Sequence, residues 1–360
     1  MAFVEMLVGW IWGVPLIVTI LGIGIYLTVA TGFYQFAKFP HIMKETFGKL
    51  VKRHEGEEGA EGILSPFEAV ASAIGGSVGV GNIAGVATAI AVGGPGAVMW
   101  MWIAALLGMV IKMAEVTLAL YYRKTDEHGN PYGGPTYYME RGMGEEKGMR
   151  WWKPLAIVFG FGIFTSFFLT MQNYSVSEAV GNSFGVPLLA VALVYTVLVY
   201  VITAGGIPSL GKWAGRMVPF MCLFYVLVGL FVILKNAAEL PNAFALIFGG
   251  GVSGTAAVGG FAGAAAAKAI QMGVARAVYS NEAGWGTSPM VHSTARTDHP
   301  VRQGMWGSFE VFVDTIIVCT ITALVIVVTG EWETGVAGAT LTLNADRKST
   351  RLNSSHGIIS

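Results

Sequence analysis

Charged side chains are scarce in this sequence, and their scarcity excludes several classes of protein. Asp, Glu, Lys and Arg make up 12% of the 360 residues, and the formal net charge is zero. A nucleic-acid-binding protein would carry a marked excess of Lys and Arg. A soluble single domain of this length would need more charge to cover its surface. The composition therefore excludes both.

Cysteine and histidine are also rare, which argues against a disulfide framework and against metal chemistry. The two cysteines, Cys222 and Cys319, lie in apolar runs, where small buried thiols are expected. The six histidines are scattered, without an HExxH motif or paired cysteines. We find no pairing of nucleophile and base either. We therefore predict no enzyme, no cofactor and no metal beyond a coupling ion.

Apolar residues are abundant, at 54% of the chain, and 49 glycines are spread among them. A bilayer is crossed by about 20 mostly apolar helical residues. The N-terminus "MAFVEMLVGW" lacks the basic region of a cleavable signal, so the first run is a predicted span. The sequence thus predicts an all-α polytopic membrane protein. The eight predicted spans lie near 10–33, 66–92, 96–122, 154–180, 187–204, 214–235, 256–280 and 303–329.

The basic residues fall on one side of this alternating topology. Loops 34–62, 123–153, 205–216 and 276–302 hold 16 of the 22 Lys and Arg, whereas the opposite loops hold only Lys235. Basic loops stay in the cytoplasm. We therefore predict a multi-pass protein of the inner (cytoplasmic) membrane with its N-terminus outside.

The end of the sequence differs from the rest. Residues 345–360, "ADRKSTRLNSSHGIIS", are polar and basic, and they follow "GATLTLN", which resembles the start of another membrane segment. A cytosolic tail is one explanation, and text translated from a sequencing adapter is another. We predict that 1–344 is a membrane domain incomplete at its C-terminus and that 345–360 is not native.

The second span contains "AIGGSVGVGNIAG", residues 73–85, with five glycines. Spacings of four residues fit a close-packed helix face. A break in the helix is the alternative, and Ser77 and Asn82 favour it, because a polar side chain in a span needs a partner. Broken ends expose N–H groups for a carboxylate, and carbonyls for an ammonium group and Na⁺.

A similar segment occurs in the seventh span, at residues 249–273, where "GGFAGA" surrounds Phe261 with small residues. The two glycine-interrupted spans are the second and the seventh, five positions apart in the order of spans. This spacing is expected of an inverted repeat of five plus five helices, which points to the binding site of a secondary transporter.

Four longer motifs make the resemblance specific: "GGPGAVMWMWIAALLG" (93–108), "NPYGGPTYYMERG" (130–142), "AAVGGFAGAAAAKAIQMGVARAVYSNEAGWGTSPMVH" (256–292) and "HPVRQGMWGSFEVFVDTIIVCTITALVI" (299–326). In this order they resemble the sodium:alanine symporter family, the alanine or glycine:cation symporters. The resemblance extends to about residue 344. Met99, where the family pattern has Phe, is a departure that conserves volume.

The family is similar to the leucine-transporter fold, and the resemblance implies roles for named residues. "GGSVGVGN" (75–82) matches the first broken helix of that fold. The substrate carboxylate is then expected at the backbone amides near Val80 and Gly81, and Gly79 is expected to line the substrate site with them. Gly259, Gly260 and Phe261 would form the opposite wall. One Na⁺ would bind the Ser77 carbonyl and the Asn82 side chain, and a second the carbonyls of Gly75 and Val78. Further ligands of the second ion would lie on a helix beyond this sequence.

Other residues have two interpretations each. "GVGNIA" (79–84) fits a dinucleotide fingerprint, but no strand precedes it. Lys112 and Glu115 are expected to form a structural ion pair that snorkels, in preference to a proton relay.

Four further polar residues each leave a functional and a structural interpretation open. Asp314 in the eighth span is a candidate relay residue or an interior carboxylate of helix packing. Gln172 and Asn173 raise that alternative in the fourth span. Glu282 either gates the inner exit by pairing with Arg276 or caps a loop helix.

The resulting hypothesis is a Na⁺-coupled symporter of alanine or glycine that works by alternating access in the lipid bilayer. The alternatives are another cation-coupled transporter of the leucine-transporter fold, an inactive truncated fragment, and a channel, although a channel would need a continuous polar lining. H⁺ in place of Na⁺, D- against L-substrate and the oligomeric state stay open.

Overall fold

The computed structural model describes Met6 and residues 9–50, 62–169, 172–252, 262–334, 338 and 340–345. Within these residues the fold is helical, with one two-stranded hairpin. The α-helices are α1 Val14–Ala30, α2 Tyr34–Ala37, α3 Phe39–Glu45, α4 Phe47–Leu50, α5 Pro66–Ser77, α6 Val86–Gly93, α7 Ala97–Tyr121, α8 Pro135–Tyr138, α9 Trp152–Leu169, α10 Gln172–Phe184, α11 Leu188–Thr203, α12 Gly206–Lys235, α13 Leu240–Val252, α14 Ala262–Asn281, α15 Thr287–His292, α16 Pro300–Val311 and α17 Thr320–Val328. The hairpin pairs β1 Lys124–Thr125 with β2 Pro131–Tyr132.

Shorter helical segments join these elements. They are the π-helical turns Gly81–Gly85, Met139–Glu146 and Phe312–Cys319, and the 3₁₀ turns Ala237–Glu239 and Glu331–Thr334. Residues 340–345 are also helical, and Leu341 and Ala345 are buried in the core. The predicted tail beyond Ala345 lies outside the described residues.

The described residues of each predicted span are mostly helical, while residues 170–171 of the fourth span and 256–261 of the seventh lie outside the described part of the chain. Four helices are long and apolar enough to cross a membrane: Gly9–Ala30, Ala97–Tyr121, Gly206–Lys235 and Pro300–Val328. A fifth span is the bent pair of α5 with residues Gly81–Gly93. The prediction of a helical polytopic membrane protein is therefore confirmed.

The predicted boundaries were wrong in two places. Helix α13 occupies part of the region expected to be a loop between the sixth and seventh spans, although three consecutive glycines lie near its end. Helix α12 begins at Gly206, eight residues before the expected start at 214. Pro208 lies in its first turn, where a proline lacks only an N–H that has no helical partner.

Helix α7 lies at the centre of the bundle, and α1, α14 and α16 pack along it. Glycines make these close contacts possible. A Cβ atom on Gly307 of α16 would lie 2.8 Å from Val116 Cγ2 and 3.1 Å from the Lys112 carbonyl oxygen. At Gly304 it would lie 2.9 Å from the Met113 carbonyl oxygen. Glycine thus sets the distance between two membrane helices, as expected of small residues in lipid.

Residues from all four basic loops meet at one end of the bundle. Arg123 donates to the carbonyl oxygen of Ala295 over 3.0 Å, and Ala295 forms a parallel bridge with Leu64. Gly62, in the first basic loop, lies against the Arg296 backbone, and Gly211 lies against the Leu64 side chain. These residues of the four loops therefore lie on one face, as expected from the predicted alternation of spans.

This packing predicts that alanine substitution lowers stability at Gly304 but not at Gly22. Gly304→Ala forces a methyl group onto the backbone of α7, and overpacking of this kind costs about 1–3 kcal/mol. Gly22→Ala is the matched control, because nothing lies within 4 Å of its added Cβ. We expect a lower apparent melting temperature in detergent for the first variant alone. Equal melting temperatures would contradict the packing described for α7 and α16.

Candidate functional site

The second span begins with a well-defined cap and then breaks. The Ser65 hydroxyl accepts a hydrogen bond from the Glu68 amide, and the Glu68 carboxylate accepts one from the Ser65 amide, which forms a capping box. The helix ends at Ser77, because Val78 has an extended backbone. The next helical residues continue at an angle of 50°. The predicted break at 75–82 is confirmed by this geometry.

Such a break leaves peptide groups without partners in the helix. The last carbonyls of α5 and the first N–H groups beyond Val78 lose their α-helical bonds. One of these N–H groups finds a side-chain partner: the Gly79 amide donates a hydrogen bond to Asn82 Oδ1 over 2.8 Å. Glycine also allows a close approach here: a Cβ on Gly81 would lie 3.0 Å from the Ser280 Cα.

The predicted substrate and ion ligands other than Asn82 fall into three sets. Five lie at the break itself, where Gly79, Val80 and Gly81 follow the buried Ser77 and the partly buried Val78. Gly75 is exposed and faces Val218 of α12, so the close-packing interpretation also holds for part of the segment. Gly259, Gly260 and Phe261 lie outside the described residues.

Asn82 connects the break to the eighth span. It is fully buried, and its Nδ2 donates to Asp314 Oδ1 over 2.8 Å and to the Asp314 carbonyl oxygen over 3.1 Å. Because both atoms of Asp314 can only accept while the Gly79 amide can only donate, the orientation of the amide is fixed by its partners. Two residues singled out separately in the sequence, Asn82 and Asp314, are therefore direct neighbours.

The other oxygen of Asp314 binds two hydroxyls. Oδ2 accepts from Ser280 Oγ over 2.7 Å and from Thr315 Oγ1 over 2.8 Å. Cys319 Sγ lies 3.2 Å from Ser280 Oγ and 3.3 Å from Asn82 Nδ2. We call Asn82, Ser280, Asp314, Thr315 and Cys319 the Asp314 cluster. Every member is buried.

The charge of the Asp314 cluster is unbalanced. All hydrogen-bond donors to Asp314 are neutral, and within the described part of the chain its carboxylate has no Lys, Arg or His within ion-pair distance. Asp314 lies midway along the 29-residue helix Pro300–Val328, at the expected depth of the bilayer centre. An isolated carboxylate there is costly unless a cation or a proton joins it. The cluster therefore has the chemistry of a cation site.

Both partners of this contact lie in π-helical turns. Asn82 lies in the turn Gly81–Gly85, and Asp314 in the turn Phe312–Cys319. A π-helical turn shifts carbonyls away from their regular partners and is frequent at functional sites. The two helices thus depart from α-helical geometry where their polar side chains meet.

A second buried cluster lies one helical turn from the first. Glu310 Oε1 lies 3.4 Å from Lys112 Nζ, and Glu310 Oε2 accepts from Ser288 Oγ over 2.6 Å. His292 Nε2 lies 3.2 Å from the same Oε2, and Gln303 contacts the other ring nitrogen of His292 at 2.7 Å. All these side chains are buried, and here a positive charge does balance the carboxylate.

The expected ion pair of Lys112 with Glu115 is wrong. Lys112 pairs with Glu310 and is completely buried, so its ammonium group does not snorkel. Glu115 instead accepts a hydrogen bond from the Gly284 amide over 2.9 Å. The three-residue spacing of Lys112 and Glu115 predicted an ion pair within α7. In the folded protein the partner of Lys112 comes from α16 instead.

Glu282 is placed beside a loop helix. Its carboxylate accepts from the hydroxyl of Thr287, the first residue of α15, and within the described residues it forms no ion pair with Arg276. The Arg276 guanidinium lies 5.8 Å from the centre of the Tyr279 ring. Asn173 donates a hydrogen bond to Thr196 of α11 over 3.2 Å.

Several residues of the two clusters were not identified from the sequence. Glu310 is an acid within a predicted span, so the argument that singled out Asp314 applied to it equally. Ser280 and Ser288 carried no such signal, because a serine near the end of a helix is common. The dinucleotide fingerprint is excluded, since a helix and not a strand precedes residues 79–84.

These features define a class: a helical membrane protein with an interrupted span beside a buried polar site, as in secondary transporters. Comparison with known proteins agrees. The profile of the sodium:alanine symporter family matches residues 1–354, and the chain belongs to that family.

Three relatives illustrate the match. The sodium/alanine symporter AgcS of Methanococcus maripaludis is 41% identical over 340 residues, which cover 92% of this chain and 72% of the relative. An uncharacterized transporter of Haemophilus influenzae is 42% identical over 338 residues, 92% and 71% of the two chains. The probable sodium/glutamine symporter GlnT of Bacillus subtilis is 37% identical over 336 residues, 92% and 66%. The protein is thus related to amino-acid transporters of differing substrate.

The pairing of Lys112 with Glu310 predicts strong non-additivity. Lys112→Met leaves a buried carboxylate without its counter-charge, which typically costs about 3–5 kcal/mol. The double variant with Glu310→Gln removes both charges and should recover most of that stability. Thermal unfolding in detergent measures the cycle, and additive effects of the two substitutions would contradict the pairing.

Proposed function

We propose that this protein is a Na⁺-coupled symporter of a small neutral amino acid, alanine or glycine. It works by alternating access in the cytoplasmic membrane, with its N-terminus outside and its basic loops inside. The observation that carries the proposal is the uncompensated carboxylate of Asp314, which lies in direct contact with the broken span through Asn82.

The coupling ion binds at the Asp314 cluster. Carboxylate, hydroxyl and carbonyl oxygens suit a hard cation such as Na⁺. The Ser77 carbonyl and the Asn82 side chain, which the family resemblance implies as ligands, belong to the same region. The carbonyls of Gly75 and Val78 hold a second ion. A cation at Asp314 removes the cost of the buried charge, so ion binding stabilises the broken span in the form that binds substrate.

The substrate binds beside the ion, at the break. The N–H groups of Val80 and Gly81 receive its carboxylate next to Gly79, whose own amide donates to Asn82 Oδ1. The wall across from them is formed by Gly259, Gly260 and Phe261. Helices α13 and α14 flank that second segment and fit the second half of a leucine-transporter-like inverted repeat. Because Gly81 approaches Ser280 closely, little space remains beside the break. A small substrate side chain fits such a space, which favours alanine or glycine. The family name and the sodium/alanine symporter of Methanococcus maripaludis support this choice.

Proton coupling is the second candidate, and the same carboxylate favours it. A proton on Asp314 also neutralises the buried charge. The two candidates differ in what Asp314→Asn does: the neutral amide imitates the protonated acid but is a weaker ligand for Na⁺.

Uptake measurements distinguish these mechanisms. We expect labelled alanine or glycine to enter proteoliposomes only under an inward Na⁺ gradient. Asp314→Asn should lower Na⁺-driven uptake by about tenfold or more, the size of one lost charge-assisted contact, and Asn82→Ala should raise the Na⁺ concentration required. Ser308→Ala, a buried hydroxyl on the same helix outside the cluster, is the control. Uptake that ignores Na⁺ and follows a pH gradient would support the proton instead.

The native Cys319 offers an independent test of ion binding. Its sulfur contacts Asn82 and Ser280, so an ion that holds the cluster together should shield it. In a Cys222→Ala background we expect Na⁺, compared with K⁺, to slow maleimide labelling of Cys319 several-fold, by local-opening linkage. The protection should vanish in Asp314→Asn. Equal rates in both salts would argue against an ion at this cluster.

A further inference from the structure

Residues 282–296, called the strap below, cross one end of the bundle and connect its two sides. The strap begins directly after α14 ends at Asn281. At its other end, the Arg296 amide donates to the Leu64 carbonyl oxygen over 2.8 Å, and Leu64 precedes α5 of the broken span. One short segment is therefore attached to both α14 and the start of α5.

The middle of the strap is held by Glu310. Ser288 and His292, both on α15 within the strap, contact the same carboxylate oxygen of Glu310. Lys112 reaches the other oxygen and also donates to the Glu282 carbonyl oxygen over 3.1 Å. We call Lys112, Ser288, His292 and Glu310 the latch. Since α7 and α16 carry Lys112 and Glu310, the latch ties the strap to the packed centre of the bundle.

The start of the strap has the backbone of a tight reversal. Glu282, Gly284 and Gly286 have φ values of 54°, 83° and 89°, all in the left-handed region. A glutamate there is uncommon and is maintained by its surroundings. Between these residues, Ala283 packs on Gly108 of α7, where an added Cβ would lie 3.2 Å away. The left-handed residues thus separate α14 from α15 and let α15 fold back over α7.

The latch is contiguous with the Asp314 cluster. Glu310 and Asp314 are four residues apart, and side chains at this spacing lie on one face of a helix. The last two residues of α14 contact the same helix: Ser280 donates to Asp314, and Asn281 donates to Thr315 over 3.0 Å. The strap begins at the next residue. One polar seam therefore runs from the ion cluster to the latch along the boundary of α14 and the eighth span.

We propose that the strap closes the transport path at the membrane face on which the strap lies, and that the Glu310 latch holds the strap in this closed position. The proposal rests on the transport function above. Opening requires the Ser288 and His292 contacts to separate from Glu310 while α7 and α16 stay packed. Because the seam is continuous, changes at Ser280 and Asp314 during ion binding reach the strap within two residues.

The test measures access to Cys319 from each membrane face, without Na⁺ or substrate. An impermeant methanethiosulfonate reagent is applied to right-side-out and inside-out vesicles of the Cys222→Ala protein. Ser288→Ala removes one hydrogen bond to a carboxylate, so modification should become about tenfold faster from the face that carries the strap. The rate from the opposite face should not change. Ser308→Ala is the matched control, since its hydroxyl has no hydrogen-bond partner among the described residues.

A reversible crosslink provides the opposite perturbation. The parallel bridge between Leu64 and Ala295 brings their backbones within disulfide distance. Oxidising Leu64→Cys with Ala295→Cys should stop transport and return Cys319 modification in the Ser288→Ala protein to the parental rate, and reduction should reverse both. An unchanged rate in Ser288→Ala, or an equal increase in Ser308→Ala, would overturn the latch. Either result is independent of whether Na⁺ drives uptake, which the flux assay decides.

Discussion

The contact between Asn82 and Asp314 is the interaction on which the arrangement of this protein depends. It places an uncompensated carboxylate at mid-depth of a membrane helix, within 2.8 Å of a side chain from a broken span. Neither residue would be stable there alone, because hydrocarbon offers no water to an amide or a charge. Each supplies the other with a partner, and the remaining negative charge is the reason we propose that a cation binds there. The break and the charge are thus one feature of the structure.

Close packing makes this contact possible. Gly81 lets the broken span approach Ser280, and Gly304 and Gly307 let α16 approach α7 to backbone contact. In lipid, helices gain little from hydrophobic burial against one another, so small residues that allow short distances take over that role. The glycines that weaken the second span as a helix are therefore the residues that bring its polar groups to the eighth span.

The sequence allowed the spans, the break and the shared face of the basic loops to be predicted, because each follows from a local rule about hydropathy, glycine or charge. Partners across the bundle could not be predicted. Lys112 was assigned to Glu115 by spacing, yet packing gave it Glu310. Asn82 and Asp314 were recognised as costly in a membrane without any indication that they meet. Helix α13 was not predicted; its three consecutive glycines lie in a helix that is packed against α7, α14 and α17, and such packing cannot be inferred from a local pattern.

Each of the two buried clusters contains a carboxylate whose negative charge must be balanced. The two clusters balance this charge differently, and the difference suggests their roles. At Glu310 a lysine, a histidine and a serine surround the carboxylate, so its charge is balanced within the protein and no ion is needed. At Asp314 the partners are neutral, so the balance must come from outside. A charge balanced internally suits a contact that opens and closes, because its partners return unchanged. A charge balanced by a solute suits a binding site, and the four-residue spacing of Glu310 and Asp314 keeps the two carboxylates on one helix face.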